Sequence, residues 1–314
     1  MAVEQDGEGF RNVRIKNFHS ELEKVYEKKE EFKFLKQYLT IESSELFFVD
    51  KAVFIEGTSE ALLLPYFIAR FDEEQQKKIA ASKDEAAQQA YVPLAAQNIA
   101  VVQAGANAKA FRHFVEFLGI PTLVITDIDT VKPKEKKKKD DPDEEENGKS
   151  GGYHECKVSH EKACSTSNAT LKYYFDVPKE KIGSDVYKAW FKGLLDHTLT
   201  SVAGNVHVSY QCEENGFRAR SFEDAFINVN LDRIHANWKN ISGLKKKKVF
   251  DTYYNSDPHA APNVEDIYDL TEEILGGKSG LAASLLYLSY AKGVRWETPL
   301  YIKEGLEWLQ EQTH

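Results

Sequence analysis

Two apolar runs in this chain end in carboxylates, and that repeat restricts the fold more than any other feature of the sequence. Val53-Phe54-Ile55 leads into Glu56 and Gly57 and at once into a helix-start signal, Thr58-Ser59-Glu60. Further on, Leu123-Val124-Ile125-Thr126 delivers Asp127 and Asp129 in the same way. Short, wholly apolar strands are buried on both faces, and a parallel sheet of such strands gathers its ligands beyond the carboxyl ends. Carboxylates at that edge are what a divalent cation needs, because hard cations take oxygen ligands.

The pattern around these runs alternates. Ala52–Ile55 reads as a strand, Glu60–Phe71 as a helix and Ile99–Val102 as a second strand. Gly105 makes a turn, Lys109–Leu118 is amphipathic through Phe111, Phe114, Val115 and Leu118, Pro121 punctuates, and Leu123–Thr126 is a third strand. Strand and helix in alternation imply right-handed βαβ crossovers and an α/β fold with a parallel, Rossmann-like sheet. Upstream, Val13–Leu39 has apolar positions at Val25, Phe32, Phe34, Leu35 and Leu39 amid many charges and reads as an exposed helix. A core strand that follows only after such a helix suggests a fragment whose upstream part is missing.

Downstream, helical spacing returns at Val186–Leu199, and Val206, Val208, Tyr210 and Cys212 alternate with polar residues. Asn215-Gly216 then signals a two-residue hairpin into Phe217–Arg220. Ser221 caps a short helix carrying Glu223 and Asp224, Leu281–Ala291 is an apolar helix, and Tyr301–Gln310 is a last helix behind Pro299. The expected organisation is a helical segment over 1–45, the first part of the core over 46–175, a helical insertion over 176–204, and completion of the core with C-terminal helices over 205–314. Within it, the Lys-then-acid segment 132–152 cannot bury a core and is expected to be a flexible loop.

Composition narrows the function. A net charge of -9 argues against coating nucleic acid through bulk electrostatics, which needs excess Lys and Arg. It leaves room for a local site where metal ions supply the positive charge. Three cysteines make no disulfide framework, and no apolar stretch reaches the roughly 18 residues of a membrane span. A soluble, cytoplasmic protein without a membrane partner is expected.

Each candidate residue also has a plainer reading. Glu60 could simply favour a helix amino terminus, worth ~0.3 to 1 kcal/mol. Lys278, in Gly276-Gly277-Lys278-Ser279-Gly280, could be a solvated lysine in a glycine turn. A phosphate loop there is rejected, because Glu272 stands where the motif needs glycine. His154, Cys156, His160 and Cys164 approach zinc-site spacing but lack a paired CxxC, so structural zinc is not expected. Thr166, Ser167 and Asn168 could line the cleft or cap a helix. Lys245 and Lys246, in the run ending at Lys248, could track DNA phosphates or lie in a solvated turn.

The unit Val53–Leu64, the turn at Gly105 and the unit Leu123–Asp129 resemble the Toprim domain shared by topoisomerases, primases and some nucleases. Glu56-Gly-Thr-Ser-Glu60, Thr126-Asp-Ile-Asp129, Thr166-Ser167-Asn168 and Thr298–Leu306 are similar to the carboxy-terminal half of OLD-family nucleases. That family includes the nuclease subunit of Gabija phage-defence systems. The resemblance covers most of the chain after Ser43 and implies a Toprim core with an additional helical subdomain.

It also implies a DNA endonuclease or nickase, in phage defence or DNA processing, that hydrolyses phosphodiester bonds with two Mg2+ or Mn2+ ions. Glu56, Asp127 and Asp129 would hold metal, and Glu60 with Glu223 or Asp224 would complete the second site. Glu223 is preferred, because Phe222, Ala225 and Phe226 look like the packing face. Catalysis would rest on Glu56, Asp127 and Lys278, the last neutralising charge on the phosphate. The implied partners are DNA, an upstream ABC-type ATPase domain, a helicase, and further copies through the full-length protein. Three rivals remain. A topoisomerase would need a tyrosine-bearing gate domain that nothing here resembles. A glycosyltransferase using Asp127-x-Asp129 has no need of Glu56. A silent Toprim module for DNA binding or dimerisation would be expected to have lost the acids.

Overall fold

The protein is described from a computed structural model, which covers every residue except 1, 6–10, 15, 27–28, 42–43, 83–84, 105–109, 135–151, 256–263 and 313–314. The turn at Gly105, the start of a helix at Lys109 and the body of the charged segment 132–152 lie outside the described residues.

An antiparallel pair, β1 (Ala2–Gln5) and β2 (Arg11–Arg14), precedes two helices, α1 (Phe18–Leu22) and α2 (Lys29–Ile41). The alternating region then follows as β3 (Lys51–Ile55), α3 (Thr58–Ser82), α4 (Glu85–Ala90), β4 (Ile99–Gln103), α5 (Arg112–Leu118) and β5 (Thr122–Ile125). β6 (Thr130–Pro133), β7 (Tyr153–Glu155) and β8 (Ser165–Thr166) form a small antiparallel sheet of order β7-β6-β8. α6 (Ala169–Tyr174) and α7 (Asp185–Leu195) lead to β9 (Val206–Ser209) and to the hairpin of β10 (Glu213–Glu214) and β11 (Phe217–Arg218). Among the described residues the α-helices that follow are α8 (Phe222–Asn237), α9 (Lys247–Tyr254), α10 (Ile267–Ile274), α11 (Lys278–Lys292) and α12 (Leu300–Glu311).

The central sheet has the order β4-β3-β5-β9, and all three pairings are parallel. From β3 the chain steps outward to β4 and then returns to the other side of β3 as β5. The order therefore reverses between β3 and β5, and a crevice opens beyond their carboxyl ends. Both faces of β3 are buried, as its unbroken apolar run requires. Val53 and Ile55 pack with α3, α8 and the helices from α10 to α12, whereas Ala52 and Phe54 pack with α1, α2, α5, α6 and α7. This is an α/β fold with a parallel sheet and additional helices.

Three elements differ from the sequence reading. The stretch Val13–Leu39 is not one exposed helix: it is broken after Leu22, and Leu22, Tyr26, Phe32, Leu35 and Leu39 are buried. Long-range contacts fix that break, since Tyr26 donates to the Ala110 carbonyl at 2.6 Å and the Phe18 ring packs on Phe32, Phe47 and Phe114. α3 continues past Phe71 to Ser82 through a polar stretch braced by Arg70–Glu73 and Lys77–Glu73 pairs. The helix after Ser221 is not short: α8 passes through a kink at Asn230 (φ -124°, ψ 17°) and continues to Asn237. The hairpin forms at Asn215-Gly216, both with positive φ (55° and 73°), as a two-residue turn demands. Among the described residues no helix is long and apolar enough to cross a membrane.

Candidate functional site

The crevice beyond β3 and β5 is a cavity of about 510 Å³, and Glu56, Glu60, Asp127, Asp129, Glu223 and Lys278 all line it. Each arrives by a short route. Glu56 directly follows β3, Glu60 lies in the first turn of α3, and Asp127 and Asp129 follow β5. Glu223 is the second residue of α8, and Lys278 is the first of α11. Three helix amino termini thus converge on one group of acids, each offering a partial positive charge.

Glu56 is held on one oxygen. Its Oε2 accepts from Thr126 Oγ1 at 2.5 Å, from Asn168 Nδ2 at 3.1 Å and from the Asp127 N–H at 3.3 Å. Asn168 serves two ends: its Oδ1 accepts from the Thr170 and Leu171 N–H groups and caps α6, while its amide donates into the site. It therefore both caps a helix and reaches the cleft. Glu60 folds back over the turn at Gly57, where a Cβ would lie 2.6 Å from Glu60 Oε2. Glycine is the residue that leaves the carboxylate this room.

Glu223 is 2% exposed; its Oε1 accepts from Ser59 Oγ at 3.0 Å, and its Oε2 lies 2.9 Å from Lys278 Nζ. Asp224 does not join the group. Its carboxylate accepts from the Arg220 and Ser221 N–H groups and completes a capping box with Ser221. Lys245 and Lys246 do not line the cavity. They sit on the turn that packs against Gly276 and Gly277, and Lys246 is paired with Glu273 at 2.5 Å. That turn fixes Lys278: Gly243 has φ +86°, and a Cβ there would come 2.4 Å from the Gly277 carbonyl oxygen and the Leu281 nitrogen.

Sequence reasoning missed Arg220 and Gln211. Arg220, 8% exposed, places Nη2 3.1 Å from Asp129 Oδ1 and Nη1 3.4 Å from Glu155 Oε2. No motif marks it; only its position just before the Ser221 cap could have drawn notice. Gln211 donates through Nε2 to Asp127 Oδ1 at 2.6 Å.

The acids strain against one another electrostatically. Burial, followed by the charges of Glu60, Asp129, Glu223 and Glu56, holds the Asp127 carboxyl well above the usual range. Glu60 is pushed up to about 7, chiefly by burial, with Glu223 and Glu56 adding to it. Burial also raises Asp129, against the opposing pull of Arg220. For Lys278, burial disfavours the ammonium, but the charge and hydrogen bond of Glu223 together with the charges of Asp127 and Glu60 outweigh it, and the pKa is raised.

Among the described residues no three Asp, Glu, His or Cys side chains are drawn together tightly enough to grip one ion as they stand. Glu56, Asp127, Asp129 and Glu223 are instead held by protein partners. The donor set still suits a hard divalent cation: every ligand is a carboxylate oxygen, and bound positive charge would relieve the repulsion that raises these pKa values.

A stability consequence follows. Glu60 binds its proton more tightly folded than unfolded, so its contribution is greatest below about 4.5 and is lost as pH rises to about 7. Asp224, pushed up to about 7 by burial, acts in the same direction. In EDTA, the melting temperature of Glu60→Gln should decline less between pH 5 and 8 than that of wild type. Parallel declines would show that Glu60 carries no such proton.

Residues 47–129 match the family model described as "Overcoming lysogenization defect protein-like, TOPRIM domain". Over 309 residues the chain is 27% identical to Endonuclease GajA of Bacillus cereus (strain HuB5-5), which covers 96% of this chain and 38% of the relative. The chain thus spans well under half the length of that relative. Among solved structures, the C-terminal region of the Xanthomonas campestris pv. campestris OLD protein is similar at 15% identity and a TM-score of 0.41, covering 85% of this chain and 95% of that one. The parallel sheet, the acids beyond its carboxyl edge and the matched segment agree: residues 47–129 form an OLD-like TOPRIM domain.

Proposed function

We propose that this chain is the cleaving part of a DNA nuclease, an endonuclease or nickase that hydrolyses phosphodiester bonds with two divalent cations. The observation that carries the reading is the cavity in which Glu56, Glu60, Asp127, Asp129 and Glu223 meet Lys278. The similarity to an endonuclease supports it. A sugar-nucleotide transferase using Asp127 and Asp129 would have no use for Glu56, Glu60 and Glu223 in the same cavity.

In this reading Glu56, Asp127 and Asp129 hold one cation, with Glu60 and Glu223 at the second. Bound Mg2+ or Mn2+ would supply an activated water and neutralise charge on the departing oxygen. Thr126 and Asn168 keep Glu56 turned so that its other oxygen is available. Lys278, paired with Glu223 in the structure, would set its ammonium against the charge that builds on the phosphate, and Glu223 would then be left to hold a cation. Lys245 and Lys246, exposed on the turn beside Lys278, would meet the DNA backbone outside the cavity. The OLD resemblance adds an upstream ABC-type ATPase domain, assembly through the full-length protein, a helicase partner and a role in phage defence, all proposals for the larger protein.

Supercoiled plasmid incubated with the protein should be nicked or linearised in Mg2+ or Mn2+ and remain intact in EDTA. Cleavage that persists undiminished in EDTA, or DNA binding without cleavage in any cation, would overturn the reading.

A further inference from the structure

Gln211 is 1% exposed, and both ends of its amide are committed to the turn that bears the acids. Its Oε1 accepts from the Ile128 N–H at 2.8 Å, and its Nε2 donates to Asp127 Oδ1 at 2.6 Å. The sheet brings this about. β5 and β9 run parallel with Ile125 opposite Ser209, so two residues further on Gln211 comes alongside Asp127. The backbone there is pinned as well, since His197 Nε2 lies 3.1 Å from the Gln211 carbonyl oxygen and the His197 ring stacks on Tyr210 at 4.2 Å.

The partners of Asp129 and Glu223 differ in kind. Asp129 meets the Arg220 guanidinium and Glu223 meets the Lys278 ammonium, so each has a counter-charge beside it. The neutral amide of Gln211 orients Asp127 without cancelling its charge. One oxygen is fixed, and the other is left for a cation. Burying an amide is costly unless its groups are paired, and here both are paired with the acid-bearing turn and not with the core. Tyr301 closes the space behind: its buried hydroxyl lies beside Gln211 and Asp127 without a well-formed hydrogen bond.

We propose that Gln211 is a positioning residue for the cation site, fixing the Asp127 carboxylate in the orientation that receives the ion. This rests on the nuclease reading only in taking Asp127 as a cation ligand. Partners that orient ligating groups typically change metal affinity by about 10- to 100-fold when removed.

Calorimetric titration with Ca2+ tests the idea without any cleavage. Gln211→Met, of similar length but without the amide, should bind Ca2+ about 10- to 100-fold more weakly than wild type. The Mg2+ concentration for half-maximal plasmid cleavage should rise by the same factor, while the KM for DNA at saturating Mg2+ holds. If Gln211→Met does not fold, Gln211→Asn takes its place, since it keeps a buried amide but sets it one methylene short of Asp127. Unchanged Ca2+ affinity in either folded variant would overturn the proposal and leave the nuclease reading intact. Wild-type protein that binds neither Ca2+ nor Mn2+ would overturn the cation site itself, and this proposal with it.

Discussion

Glu56→Gln should abolish cation-dependent plasmid cleavage, by about a thousandfold or more, while the protein remains folded. A cation at a reacting phosphate is worth several kcal/mol, and about 4 kcal/mol corresponds to roughly three orders of magnitude in rate. The glutamine carbonyl can still accept from Thr126 and Asn168, so the hydrogen bonds that position the side chain survive. What disappears is one negative charge at the crevice where the strand order reverses. Glu56 also adds to the repulsion felt by Glu60 and Asp127. Its neutralisation should therefore leave the melting temperature in EDTA equal to or above that of wild type. Loss of cleavage with a preserved or raised melting temperature separates a ligand role from a structural one. Cleavage within tenfold of wild type at saturating Mg2+ would remove Glu56 from the cation site.

The central strands and the acids behind them were legible because their signals are local. An apolar run of strand length, an acid and a helix-start signal are all encoded within a few residues, and β3, α3 and β5 form where those signals lie. The assignment of Asp224 was also written locally. Ser221 and Asp224 have capping-box spacing, and in the structure that carboxylate closes the cap, whereas Glu223, one residue earlier, faces the cavity.

Features set by distant pairing were not legible. Gln211 meets Asp127 only through the register of β9 on β5, and alternation along β9 says nothing about which residue of another strand lies opposite. Arg220 pairs with Asp129 only once the hairpin of β10 and β11 has turned the chain back toward β5. The break after α1 is held by Tyr26 and Phe18 contacts to α5 and its flanks, without a glycine or proline to announce it. The extension of α3 past Phe71 follows from charge pairs along one face, a weaker signal than apolar periodicity.

Lys278→Met should lower cleavage by about 10²- to 10³-fold, the cost of removing one preorganised electrostatic contact to a transition state. It should also destabilise the metal-free protein, and divalent cation should reverse that loss. Glu223 is 2% exposed, and among the described residues its one counter-charge within ion-pair distance is Lys278, at 2.9 Å. Removing one member of a buried pair costs about 3 to 5 kcal/mol; because the Lys278 side chain is 59% exposed, we expect about 1 to 2 kcal/mol. A cation bound beside Glu223 would replace the missing ammonium. Mg2+ should accordingly raise the melting temperature of Lys278→Met more than that of wild type. Its affinity for Ca2+ should be equal or higher, since the side chain that competes for Glu223 is gone. A methionine of comparable length preserves the packing of the stem, so the comparison isolates the charge. Wild-type cleavage rates in this variant would return Lys278 to a solvated turn. A stability loss that Mg2+ does not recover would mean that the cation does not reach Glu223, and the second half of the proposed site would fall with it.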